Sequence, residues 1–141
     1  RRVLFRSKLF LKPGRPFAFG RLRGRPFFGL PGNPVAAAIT ALQLLWPALQ
    51  VLEGSRPQPL PRLRVRLAAP VRRGAGRPEL ARGRLLVDPE GALLARVDGS
   101  QASSRIGSLQ GADLLVEIPA ELGHLDAGTE LWAQLLRLPI F

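Results

Sequence analysis

Residues 79–97, ELARGRLLVDPEGALLARV, contain the clearest local signal in the chain. Asp88-Pro89-Glu90-Gly91 in their middle combines the residue types that favour a tight turn. The runs on either side are apolar and of strand length. The stretch therefore predicts a β-hairpin with strands over 79–87 and 92–97.

The same kind of pattern continues on both sides of this hairpin. In RLRVRL at 62–67, arginines alternate with leucine and valine, which gives one charged and one apolar face. Further strands are predicted over 62–69, 112–118 and 129–138. Five strands separated by turns predict a small all-β barrel or sandwich over 62–141.

A different pattern precedes the barrel. Short strands are predicted over 3–11, 16–22 and 26–30, followed by a helix over 35–52. Asn33 is a suitable N-cap and Pro34 fits the first helical position. The helix is apolar almost all round, with one predicted exposed stripe: Thr40, Gln43, Pro47 and Gln50.

A proline-rich stretch, RPQPLP at 56–61, lies between the two regions and predicts a linker. Acidic residues are absent before Glu53, and all ten follow from there. The predicted organisation is therefore an α/β domain fragment over 1–55, a linker over 56–61 and a β-barrel domain over 62–141.

Composition excludes several classes of protein. The chain has no cysteine and one histidine, which excludes disulfide frameworks, thiolate zinc sites and multi-histidine metal cages. Its 21 basic and 10 acidic side chains give a net charge of +11, which favours anionic partners. A proline interrupts the longest apolar stretch and no signal peptide is visible, so we expect no membrane span and a cytoplasmic location. Because methionine is absent, we expect the chain to be part of a longer polypeptide.

Four segments offer donors to an oxyanion. The PGNP loop at 31–34 precedes a helix, where free amides and the helix dipole favour an anion, although an ordinary capped turn is the likelier structure on physical grounds alone. Lys12-Pro13-Gly14 and Arg77-Pro78-Glu79 each carry a cation, and 99–105 clusters hydroxyls with Arg105. For the lysine and Arg77 the alternative is a solvated side chain, and for 99–105 it is a helix cap.

Other catalytic arrangements are not apparent in the sequence. His124 lies in a predicted turn without a serine motif nearby, so we expect a surface residue. No pair of carboxylates stands out as acid and base. The acid-free first region offers no carboxylate ligand for magnesium.

Four runs, in this order, resemble the C-terminal part of the molybdopterin molybdenumtransferases, the MoeA and gephyrin E-domain family. They are LKPGRPFAFG at 11–20, FGLPGNPVAA at 28–37, GRPELARG at 76–83 and SQASSRIGSLQGADLLVEIP at 100–119. The resemblance implies the end of a three-layer α/β molybdopterin-binding domain followed by a C-terminal β-barrel domain.

The resemblance also implies a function. The family inserts molybdate into adenylylated molybdopterin and releases AMP, assisted by Mg²⁺, normally as a homodimer. By similarity, Lys12, Arg77 and Ser103 are the catalytic residues near the molybdate. Similarity further implies substrate binding by Lys8, Pro13, Pro31, Gly32, Asn33 and Pro34.

The chain departs from the family pattern in two respects. Ala36 stands where the family commonly has a serine, which removes a hydroxyl donor. The segments that carry the expected magnesium ligands are absent, so we expect no metal ligand in this chain and no activity of this chain alone.

Two other functions compete with this interpretation. A basic barrel could bind nucleic acid through its arginines, but aromatics are only 6% and concentrate in the first region, so stacking platforms are not expected on the barrel. A scaffold role, known among gephyrin relatives, ranks last because no peptide groove is identified.

Overall fold

The chain divides between Pro59 and Leu60 into two units, Arg1–Pro59 and Leu60–Phe141. The structure is a computed structural model, and it describes residues 3–7, 17–98 and 109–138.

The first unit contains a three-stranded antiparallel sheet. Its strands, in the order β1-β2-β3, are β1 (Val3–Ser7), β2 (Phe17–Leu22) and β3 (Arg25–Gly29). Arg23 and Gly24 join β2 to β3 with φ of 53° and 79°. Two positive φ values are typical of the type I′ turn, whose twist matches that of the flanking strands. The three predicted strands are present, although residues 8–11 and 16 lie outside the described residues.

A long apolar helix follows β3. It consists of α1 (Pro34–Thr40), a π-helical turn over Ala41–Leu45 and α2 (Trp46–Leu52). The Trp46 amide donates to the Ala41 carbonyl five residues back. Pro47 has no amide hydrogen and its ring crowds the preceding turn, so the widened turn accommodates the proline.

The predicted exposed stripe of this helix is wrong at Thr40, whose residue surface is only 2% exposed. Trp46 and Leu52 are instead 57% and 58% exposed. Thr40 lies in α1, on its buried face with Val35, Ala36 and Ile39. The π-turn that follows rotates the later residues relative to this face.

Pro34–Leu52 has a mean hydropathy of 1.7 and 22% of its residues are buried. Among the described residues it is the one helix whose length and composition would allow it to cross a membrane. Core helices of soluble domains also have this length and hydropathy, so the finding is weak evidence for a span.

The second unit is a closed five-stranded barrel, which confirms the predicted fold class. Its strands, in the spatial order β4-β6-β5-β7-β8, are β4 (Arg62–Leu67), β5 (Glu79–Val87), β6 (Leu93–Val97), β7 (Leu114–Ile118) and β8 (Glu130–Leu135). Strands β4 and β6 pair in parallel, and the other four neighbouring pairs are antiparallel.

The barrel interior is filled by the alternating apolar residues. The buried cluster consists of Val65, Leu67, Ala81, Leu85, Ala95, Leu114, Val116, Ile118, Leu125, Leu131 and Ala133. The three arginines of β4 are exposed, as the alternation predicted. The turn after β5 is also confirmed, because the Asp88 carboxylate accepts from the amides of Glu90 (3.0 Å) and Ala92 (2.8 Å).

Two residues of the barrel fix how closely its strands approach. A Cβ atom added at Gly83 in β5 would lie 2.9 Å from the Arg96 carbonyl oxygen in β6. Asp113, just before β7, accepts from the Leu85 amide (3.0 Å) and the Arg137 Nε (3.1 Å). Strand β5 is therefore held tightly between its neighbours.

Candidate oxyanion-binding site

Arg77 lies immediately before β5, at the point where a loop enters the barrel. Its side chain is half-buried, and among the described residues its guanidinium has no hydrogen bond or ion pair. The Arg77 carbonyl accepts a hydrogen bond from Arg73 Nη2. The backbone of Arg77 is thus fixed while its cation is available to an anion.

Arg73 is the residue that sequence reasoning missed in this loop. Its side chain is only 9% exposed, although the Arg72-Arg73-Gly74 sequence suggests a solvated loop. Nη1 donates to the carbonyls of Pro119 (3.1 Å) and Leu122 (2.7 Å). Because these two carbonyls are distant in sequence, no local pattern signals the burial of Arg73.

A second buried arginine lies further along β5. Arg82 is 0% exposed, and burial lowers the pKa of its guanidinium, which the charges of Asp98 and Glu79 oppose. Burial raises the pKa of the Asp98 carboxyl, against the nearby charges of Arg84 and Arg82. The Asp98 amide donates to the Arg82 carbonyl (2.9 Å), so the chain is tied to β5 just before the segment that contains Ser103.

The PGNP loop forms the predicted helix cap. The Asn33 side-chain oxygen accepts from the amides of Val35 (3.2 Å) and Ala36 (3.3 Å), and its carbonyl accepts from Ala37 (2.8 Å). Pro34 has no amide hydrogen. The capped turn that the sequence favoured on physical grounds is therefore confirmed, and the amides of Val35 and Ala36 are not free for an anion.

An anion at this loop would have to use the donors that the cap leaves over. These are the amides of Gly32 and Asn33 and the Asn33 side-chain NH₂ group. Pro31 is buried, and a Cβ atom added at Gly32 would meet no atom within 4 Å. The surface at Gly32 is thus open to a ligand.

The remaining predicted site residues lie outside the described residues: Lys8, Lys12, Pro13 and Ser103. Arg77 and the PGNP loop belong to different units. The convergence of the predicted residues on one pocket stays a prediction.

Strands β4 and β8 carry an exposed tryptophan beside two arginines, which are residue types that could bind nucleic acid. Trp132, 40% exposed, lies under Arg62 (4.6 Å to the ring centroid) and Arg64 (5.0 Å). The argument that aromatics concentrate in the first region therefore overlooks Trp132 in β8. Its ring already contacts two guanidinium groups, and Arg62 also pairs with Glu117 at 2.7 Å. This arrangement leaves less of the ring for base stacking.

His124 is exposed, as predicted, and its Nδ1 accepts from the Arg73 amide (3.2 Å). Within the described ranges there is no group of three or more histidine or carboxylate side chains that could hold a metal ion. The described residues thus do not fit the Mg²⁺ that the resemblance implies.

Comparison with known proteins gives consistent results. The model of the MoeA C-terminal region (domain IV) matches residues 64–136. A molybdopterin molybdenumtransferase of Haemophilus influenzae is 31% identical over 122 residues, covering 86% of this chain and 30% of that protein. The molybdenum cofactor synthesis protein cinnamon of Drosophila melanogaster is 39% identical over 116 residues, covering 81% of this chain and 19% of that protein.

Solved structures agree with these relatives. A molybdopterin biosynthesis MoeA protein of Pyrococcus horikoshii matches with a TM-score of 0.71 and 29% identity, over 92% of this chain and 31% of that one. A molybdenum cofactor biosynthesis protein of Pyrococcus furiosus matches with a TM-score of 0.72 and 26% identity, over 94% of this chain and 45% of that one. Since the family model covers β4 to β8 almost entirely, the chain belongs to the MoeA C-terminal region (domain IV) family.

Proposed function

We propose that this chain is the C-terminal part of a molybdopterin molybdenumtransferase, which inserts molybdate into adenylylated molybdopterin and releases AMP. The names of the relatives support a role in molybdenum cofactor synthesis. The observation that carries the proposal is Arg77, whose guanidinium has no polar partner among the described residues while its backbone is fixed.

The chemistry of the substrates suits these residues. Molybdate is a dianion and molybdopterin carries a phosphate, so both need cationic and hydrogen-bond donors. Arg77 and Lys12 would supply positive charge, and Ser103 a hydroxyl donor. Lys8, Pro13 and the PGNP loop (31–34) would line the substrate side.

The role that follows is positioning and charge compensation. The first 52 residues contain no carboxylate, so that region adds no repulsion to two anions that must meet. The residues bind and orient the reactants and form no covalent intermediate with them.

The activity, location and assembly that we propose belong to the complete protein. The chain spans 30% and 19% of the lengths of the two curated relatives named above, so we propose that it has no activity alone. We further propose a cytoplasmic homodimer that binds neither membranes nor nucleic acid, with any magnesium ligands outside this chain.

Replacement of Arg77 tests the proposal. In the complete native polypeptide, Arg77→Ala is expected to raise the molybdate concentration for half-maximal cofactor formation by about 10- to 100-fold, as for a lost charged hydrogen bond. Ser103→Ala should raise it less, because a neutral hydroxyl is a weaker partner.

Arg72→Ala is the matched control, because Arg72 is an exposed arginine of the same loop. It should leave the molybdate dependence unchanged. Unchanged molybdate saturation in both Arg77→Ala and Ser103→Ala would contradict the proposed function.

A further inference from the structure

The loop before β5 is held by contacts that converge on one side chain. Arg73 donates to the carbonyls of Pro119 and Leu122, which follow β7 in the sequence, and to the carbonyl of Arg77. Its Nε lies 3.4 Å from Glu79 Oε1, and the Glu79 side chain is only 7% exposed. The guanidinium and its counter-charge are therefore both withdrawn from solvent.

These contacts restrict the backbone on both sides of Arg77. The Gly76 amide donates to the Ala120 carbonyl at 2.7 Å. Pro78 follows Arg77 and disfavours the helical region for it. The Arg77 carbonyl is bound by Arg73. The Arg77 guanidinium, in contrast, has no hydrogen bond or ion pair within the described ranges.

We propose that Arg73 is a positioning residue that fixes the backbone of Arg77 so that the Arg77 guanidinium is presented to a bound tetrahedral oxyanion. The inference rests on the proposed function, since it assumes that Arg77 binds the oxyanion. Glu79 balances the buried charge of Arg73 and so keeps it in place.

Lysine cannot replace Arg73 in this role. A guanidinium has five N–H groups in a rigid plane and reaches several acceptors at once. An ammonium is a compact point charge on a flexible stem, and it cannot hold the Pro119, Leu122 and Arg77 carbonyls together. Arg73→Lys therefore keeps the positive charge but loses the simultaneous hydrogen bonds to the three carbonyls.

The test compares Arg73→Lys with Arg72→Lys in the complete native polypeptide, by equilibrium dialysis with molybdate. We expect Arg73→Lys to weaken molybdate binding about tenfold, because a small displacement of a binding group is costly. Arg72→Lys, in the neighbouring exposed residue, should bind like the unmodified protein.

A double mutant separates positioning from general stability. In an Arg77→Ala background, Arg73→Lys should cause no further loss of molybdate affinity, since the residue it positions is gone. If the two losses add in full, Arg73 does not act through Arg77 and the inference is wrong.

The outcomes also separate the inference from the function. If Arg77→Ala and Ser103→Ala both leave molybdate binding unchanged, the proposed function fails. If only Arg77→Ala leaves it unchanged, the inference fails because Arg77 does not bind the oxyanion. If Arg77→Ala weakens binding but Arg73→Lys does not, only the inference fails. Should Arg73→Lys not fold, Glu79→Gln serves as the second variant, with a smaller loss expected that disappears in the Arg77→Ala background. Unchanged binding in Glu79→Gln would then overturn the inference.

Discussion

Gly83 lies in β5 where that strand pairs with β6 on one side and β7 on the other. An added Cβ atom would be 2.9 Å from the backbone oxygen of Arg96, which cannot move without shifting β6. We expect Gly83→Ala to lower the free energy of unfolding by about 1–3 kcal/mol, as for other overpacked interiors. The measurement is the midpoint of urea unfolding.

Gly74→Ala is the matched control for Gly83→Ala, because it adds the same methyl group in open space. Nothing lies within 4 Å of its added Cβ atom, and its φ is not in the left-handed region. The midpoint should hardly change. Equal midpoints for the two variants would mean that β6 yields to the extra methyl group.

The turn between β2 and β3 gives a prediction at the scale of an element. Arg23 has a φ of 53°, which asparagine tolerates better than arginine does. Arg23→Asn is expected to stabilise the hairpin by about 0.5 kcal/mol. Amide hydrogen exchange of β2 and β3 should therefore slow about twofold.

Arg23→Lys is the matched control, because lysine has no advantage over arginine at positive φ. Its exchange rates should equal those of the unmodified chain. Faster exchange in Arg23→Asn than in Arg23→Lys would show that the arginine side chain contributes more to the hairpin than its backbone conformation costs.

At the scale of the whole molecule, the barrel has its own core. Every residue of the buried cluster lies between Val65 and Ala133, within Leu60–Phe141. We expect a fragment over 60–141 to unfold cooperatively, with a urea midpoint close to that of the barrel in the full chain. Trp132 fluorescence monitors this unit, and Trp46 should be replaced by Phe in the full chain to isolate its signal. A fragment without a cooperative transition would contradict the autonomy of the barrel.

The barrel was predictable because its signals are local. Alternation over 62–67 and the turn residues at 88–91 depend only on neighbouring positions. The burial of Arg73 and Arg82 was not predictable, because part of their surroundings comes from distant parts of the chain: Pro119 and Leu122 for Arg73, and Asp98 for Arg82. The predicted exposed stripe was wrong at Thr40, because this residue lies on the buried face of α1. The capped turn at Asn33, in contrast, was predictable, because the residue types of an N-cap and of the first helical position are local signals.

The candidate site was predictable in a different way. The charges of Arg77 and Lys12 suggested anion binding, but charge alone does not distinguish a solvated arginine from a ligand. Only the resemblance selected Arg77, and the fixed backbone around it is consistent with that choice. Lys8, Lys12, Pro13 and Ser103 stay predictions, as does their meeting with the PGNP loop.

Strand β4 pairs with β6 and with β8, and these pairings restrict the order in which the barrel strands can assemble. The first barrel strand to leave the ribosome has partners that are synthesised later, and one of them is the last barrel strand. Closure must therefore wait until Glu130–Leu135 has emerged, while the β5–β6 hairpin can form early because its partners are close in sequence. Until then β4 exposes an unpaired edge, and its alternating arginines would repel another copy of the same strand during synthesis.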